Sequence, residues 1–255
     1  MRLLAILLAF LGASAHSAEA PPAPRPFFSS TLQALGDAGL SPLRLQADEL
    51  GWLVMAGASS AFMLGADKPL YQRLATGDAR KDWLNASMPT VSFLGEGYME
   101  AAYALGLYAV GDERLRRASG QALQGLAVVG VYATLLKYAA WSNRPSQDDS
   151  AHRFFAYDQP SLGMPSGHSF SAFCVAEVYG AEYGRWFTYP LAGLVAYSRI
   201  YNQAHWPSDV LVGSLLGVAT GFGVRHWAER DGTPLFQFSL APSPQGTLLS
   251  LSREF

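Results

Sequence analysis

Residues 164–173 read MPSGHSFSAF and set a histidine between a Pro-Ser-Gly turn and an apolar run. Pro165 suits a turn, Ser166 can act as an N-cap, and Gly167 lets a ligand approach the backbone closely. A helix that starts there presents free N–H groups and the positive end of its dipole, a combination that suits an anion. The same residues also describe a loop that caps an ordinary buried helix. On their own they leave both readings open.

Outward from this stretch the pattern is helical. Uncharged apolar runs at 50–66, 101–111, 118–136, 186–198 and 210–224 are separated by charged or Gly/Pro punctuation, which predicts an all-α bundle. Half of the 255 residues are hydrophobic and 15% are charged, against about 25% charged in an average soluble domain. Such a chain has a large interior or a surface that meets lipid. Only the 118–136 run approaches the roughly 20 residues of a bilayer span, and the mean hydropathy of +0.11 is modest for a polytopic protein. Two architectures therefore stay open: a compact exported bundle, or a membrane-embedded one whose shorter helices are completed by flanking aromatic and polar residues. Small residues recur in GASSAFMLGA and GSLLGVATGFG, allowing close helix approach in either solvent.

The net charge of −2 offers no global attraction for polyanions, which excludes a nucleic-acid role and leaves any anion to a local cluster. Residues 1–18 have one early basic residue, an uncharged core and small residues, as in a signal peptide. An uncleaved anchor is the alternative. Residues 19–45 read as a proline-rich linker and N-terminal segment, 46–230 as the helical domain, and 231–255 as a β-hairpin because apolar residues there alternate on either side of APSPQG. Cys174 is the only cysteine, so no internal disulfide supports the fold.

Two further stretches bear on the histidine. In KYAAWSNRP, Lys137 and Arg144 follow the 118–136 run seven residues apart, close to two helical turns, before Pro145 stops the helix. In SRIYNQAHWPSD, His205 and Asp209 are four apart across Pro207, and Asp209 falls in the first turn of the next helix. A carboxylate in that place can fix the tautomer and orientation of a histidine ring. Each stretch has a plainer reading as solvated charges or as a helix cap.

Together the three resemble the type 2 phosphatidic acid phosphatase superfamily, which joins lipid phosphatases, bacterial non-specific acid phosphatases and vanadium haloperoxidases. Its signature, K-x6-R-P, then P-S-G-H, then S-R-x5-H-x3-D, is filled at every position by 137–145, 165–168 and 198–209. The resemblance spans about 90–228. It implies an all-α bundle of the acid phosphatase–haloperoxidase type. It implies that Lys137, Arg144, Ser166, Gly167 and Arg199 bind phosphate, with His205 as nucleophile, Asp209 holding its ring, and His168 as general acid and base. It implies no metal and no cofactor.

The charge chemistry agrees. A transferring phosphoryl group spreads charge over three oxygens and requires several fixed cations and donors, with Arg supplying planar bidentate ones. The expected activity is hydrolysis of a phosphomonoester or diphosphate, on a lipid-linked substrate at the outer side of a bacterial inner membrane. Tyr138, Trp141, Phe154, Phe155 and Tyr157 are candidates for a membrane-facing entrance or for ordinary packing, and His152, Asp148 and Asp149 are candidates for the rim. The rival readings are a soluble acid phosphatase, a vanadium haloperoxidase, and a non-catalytic membrane protein. No stretch has metal-ligand spacing such as H-E-x-x-H.

Overall fold

A computed structural model describes residues 25–40, 47–147, 154–155, 162–232, 234–235, 238–243 and 246–251. Among the described residues are eight α-helices: α1 (Phe27–Leu40), α2 (Ala47–Ala75), α3 (Asp82–Leu94), α4 (Gly97–Val110), α5 (Glu113–Ala140), α6 (Gly167–Tyr183), α7 (Arg185–Tyr201) and α8 (Pro207–Asp231). The all-α bundle predicted from the apolar runs is the observed architecture. The expected signal peptide, 1–18, lies outside the described residues.

Helix α6 is the centre, packed against α4, α5, α7 and α8. The α6–α8 contact is close because Gly213, Gly217 and Gly221 recur every fourth residue along one face of α8. A side chain at these positions would run into the Ser166, Phe170 and Cys174 carbonyls of α6. Cys174 is wholly buried among Val129, Ala133 and Phe170. Gly184, at φ 118°, breaks the chain between α6 and α7 in a conformation that favours glycine and turns α7 back along α6.

Helices α1 and α3 fall outside the five apolar runs. The segment read as a linker turns helical at Phe27, directly after Pro26, and α1 docks on α5 through the Tyr132 hydroxyl, which donates to the Leu35 carbonyl at 2.8 Å. Helix α3 carries Asp82, Asn85 and Pro89 among its apolar residues, which broke the run in the sequence, yet it packs along α7.

Strand β1 (Arg25–Pro26) pairs in parallel with β2 (Pro234–Leu235). Strands β3 (Phe238–Ser243) and β4 (Gly246–Leu251) pair antiparallel, with Phe238 opposite Leu251 and Ser243 opposite Gly246.

Candidate active site

The alternating direction of the helices brings four helix ends together. Lys137 lies in the last turn of α5, Gly167 and His168 open α6, Arg199 lies in the last turn of α7, and Asp209 lies in the first turn of α8. Two helix N-termini, with their positive dipole ends, thus meet three cations at one end of the bundle.

Lys137 and Arg144 come together by a route the spacing did not suggest. Helix α5 ends at Ala140, because Trp141 takes a left-handed conformation at φ 38°, and 142–144 run on as irregular chain. The two cations still converge: Lys137 Nζ donates to the Leu162 carbonyl at 2.8 Å, and Arg144 Nη2 to the same oxygen at 3.3 Å. Ser142 joins the segments, its hydroxyl accepting the Met164 N–H at 2.7 Å and its carbonyl the Gly163 N–H at 2.9 Å.

The Pro-Ser-Gly-His turn follows. Ser166, completely buried, caps α6 as expected, accepting from the Ser169 N–H at 3.5 Å and from the Ser169 hydroxyl at 3.1 Å. Its own N–H donates to the Asp209 carbonyl at 3.0 Å, tying the starts of α6 and α8 together. Gly167 lies beside the Lys137 stem.

Beyond α7 the chain folds back on itself. The N–H groups of Ala204 and His205 both donate to the Arg199 carbonyl, at 3.0 and 3.2 Å, which sets His205 under the end of α7. His205 Nδ1 lies 3.4 Å from Asp209 Oδ2, and both side chains are 2% exposed. Burial, and then the positive charges of Lys137, Arg144 and Arg199, push the His205 imidazole well below its ordinary range and keep it neutral. Arg199 Nη1 donates to the Ser92 hydroxyl on α3, while Arg199 Nε is buried with no partner among the described residues, a donor left over for a ligand.

Sequence reasoning missed the contribution of α3 and of the turn after it. Ser92 holds Arg199, and Glu96 Oε1 lies 3.0 Å from His168 Nε2. The only signal was the Gly-Glu-Gly turn at 95–97, which carries no recognisable spacing to the other motifs. The rim candidates His152, Asp148 and Asp149 and the entrance candidate Tyr157 lie outside the described residues. Beside His168 a cavity of about 340 Å³ opens between α4, α5 and α6, lined by the apolar Leu126, Val129 and Ala133 and by the polar Glu96, Thr134 and Ser171. No group of His, Cys, Asp and Glu among the described residues has the geometry of a metal site.

The family model described as PAP2 superfamily matches residues 119–232, the stretch that carries all three motifs. The chain is similar to the lipid A 1-phosphatase of Porphyromonas gingivalis, at 31% identity over 174 residues, covering 64% of this chain and 34% of that protein. It thus spans about a third of that relative's length. Two solved structures share the fold. The crystal structure of Aquifex aeolicus LpxE superposes with a TM-score of 0.50 at 23% identity, covering 63% of this chain and 95% of that one. The transmembrane PAP2 type phosphatidylglycerolphosphate phosphatase from Bacillus subtilis gives 0.51 at 20% identity, covering 70% and 96%. Every signature residue lies inside the matched region and is gathered at one end of the bundle, so over that stretch the chain is similar to the PAP2 superfamily in both motif and fold.

Proposed function

We propose that this chain is a phosphatase that hydrolyses a lipid-linked phosphate through a phosphohistidine. The observation that carries the reading is the buried, neutral His205, held beside Asp209 and faced by Lys137, Arg144 and Arg199. With Nδ1 turned to Asp209, Nε2 is the nucleophilic nitrogen. It attacks phosphorus as the bond to the leaving oxygen breaks, and His168 gives that oxygen its proton. Water then attacks the phosphohistidine while His168 takes back a proton, the P–N bond breaks, and phosphate leaves. Lys137, Arg144, Arg199, the Ser166 hydroxyl and the Gly167 N–H hold the phosphoryl oxygens, whose charge they stabilise in the transition state.

The lipid part rests on the surface and on the relatives. Leu105, Leu107 and Val110 on α4, Val131 and Leu135 on α5, Leu191 and Leu194 on α7, and Phe222 on α8 are large apolar side chains left exposed. Helices α5 and α8 are long and apolar enough to cross a membrane. A bundle embedded in lipid explains the exposed apolar faces, with the site at one membrane surface on the outer side of the inner membrane. The cavity beside His168 then receives the apolar part of the substrate. The relatives named as lipid A 1-phosphatase and phosphatidylglycerolphosphate phosphatase support a lipid phosphate as the substrate class.

The test is phosphate release by purified protein in detergent from lipid A, phosphatidylglycerophosphate, phosphatidic acid, a polyprenyl diphosphate and a soluble aryl phosphate, each beside His205→Ala. Release from one lipid above the others, lost in the variant, is the expected result. Equal release from the aryl ester would replace the lipid reading by a general acid phosphatase, and release unaffected by His205→Ala would refute the mechanism.

A further inference from the structure

We propose that Glu96 is the positioning residue of His168, holding one ring nitrogen and favouring the protonated ring from which the leaving oxygen takes its proton. The proposal rests on the phosphatase reading and adds to it a residue from outside the three motifs.

Glu96 stands at the corner between α3 and α4. Gly95 is pressed against Val195 of α7 so closely that no side chain fits there, which fixes the corner against the site-bearing helix. Glu96 is the N-cap residue of α4, yet its carboxylate caps nothing. Its Oε1 instead reaches across to within 3.0 Å of His168 Nε2, without hydrogen-bond alignment in this state. A side chain at a helix start that leaves the helix N–H groups uncapped and meets a histidine is placed for that histidine.

The surroundings of the ring show what the carboxylate does. Lys137 from α5, Arg144 from the segment after it, and Arg199 from α7 face His168, and His205 lies on the same side. Burial first, and then the charges of Arg199, Lys137 and Arg144, oppose a proton on the ring and push its titration down to about 3. On the α4 side stand two carboxyls: Glu96, against the ring, and Glu100, one turn on and buried against Ser171 of α6. Glu96 is the one that touches His168. With Nε2 turned to Glu96, Nδ1 is left for proton exchange with the leaving oxygen and then with water.

The test compares wild type with Glu96→Gln and Glu96→Asp in two readouts. One is the NMR titration of the His168 ring in detergent, assigned with His168→Gln. The other is kcat/KM against pH. In Glu96→Gln the His168 titration and the basic limb of the profile both move down by about one pH unit, kcat falls about tenfold, KM changes by less than about twofold, and Glu96→Asp restores most of each. An unmoved titration and basic limb in Glu96→Gln, whatever happens to kcat, would overturn the proposal. So would a fall in KM by one factor at every pH, which would make Glu96 a screen over the cations. A wild type that releases no phosphate refutes the phosphatase reading, while the His168 titration still decides the role of Glu96.

Discussion

Asp209 Oδ2 lies 3.4 Å from His205 Nδ1, and the same oxygen accepts the Trp206 N–H at 3.0 Å. The backbone thus anchors the carboxylate that orients the ring. Asp209→Asn keeps an acceptor for the Trp206 N–H but lets the amide choose the wrong ring tautomer. The expected outcome is a loss of about 10²–10⁴ in kcat with little change in KM or melting temperature. Steady-state kinetics on the preferred substrate decides it, and a drop confined to KM would remove Asp209 from the role of orienter.

The neutral state of His205 has a pH signature. A nucleophilic imidazole works only when unprotonated, so the acid limb of kcat/KM follows its titration in the free protein. Burial first, and the facing cations second, hold that titration well below the ordinary range. Wild type is therefore expected to keep its activity to well below the usual histidine value of roughly 6.5. Lys137→Met removes one opposing charge, the His205 titration rises, and the acid limb of the residual activity moves to higher pH. A limb that stays in place would show that Lys137 does not act on His205.

The candidate site was legible where chemistry dictates residue type at short range. Lys137, Arg144, Ser166, Gly167, His168, Arg199, His205 and Asp209 sit in three compact stretches, and the structure gathers all three at one end of the bundle. Ser92 and Glu96 were not legible, because a serine and a glutamate at a helix corner are ordinary until the fold carries them across to Arg199 and His168. The helical architecture followed from apolar runs, but α1 and α3 did not. Polar residues interrupt both, with Pro89 also inside α3, and neighbours hold them in place: α5 against α1 and α7 against α3.

Two glycines in helices separate tight packing from mere flexibility. At Gly217 a side chain would strike the Phe170 carbonyl of α6, whereas at Gly106 on α4 nothing lies within 4 Å. Gly217→Val forces α8 away from α6 and separates the helix starts that carry Asp209 and His168, so folded yield and activity are both lost. Gly106→Ala gains about 0.5–1 kcal/mol from reduced freedom of the unfolded chain and keeps full turnover. Thermal unfolding of the two variants in detergent checks both, and a well-folded, active Gly217→Val would contradict the packing account.

The start of α8 is also held from the side. Asp67 on α2, wholly buried, accepts the Ser208 N–H at 2.7 Å and the Ser208 hydroxyl at 2.6 Å, one residue before Asp209. Asp67→Ala leaves both Ser208 donors buried without this acceptor, at a cost of roughly 2 kcal/mol, which corresponds to about 4–8 °C in Tm for a chain of this size. It also loosens the turn that aims Asp209 at His205, so kcat falls along with stability. Asp67→Asn retains one acceptor oxygen for Ser208 but loses the charge and the second acceptor, and its Tm lies between those of wild type and Asp67→Ala. Tm and kcat measured on the two variants separate the brace from the chemistry. If Asp67→Ala melts with the wild type, α2 does not secure the start of α8, and the alignment of Asp209 rests on Trp206 and Ser166 alone.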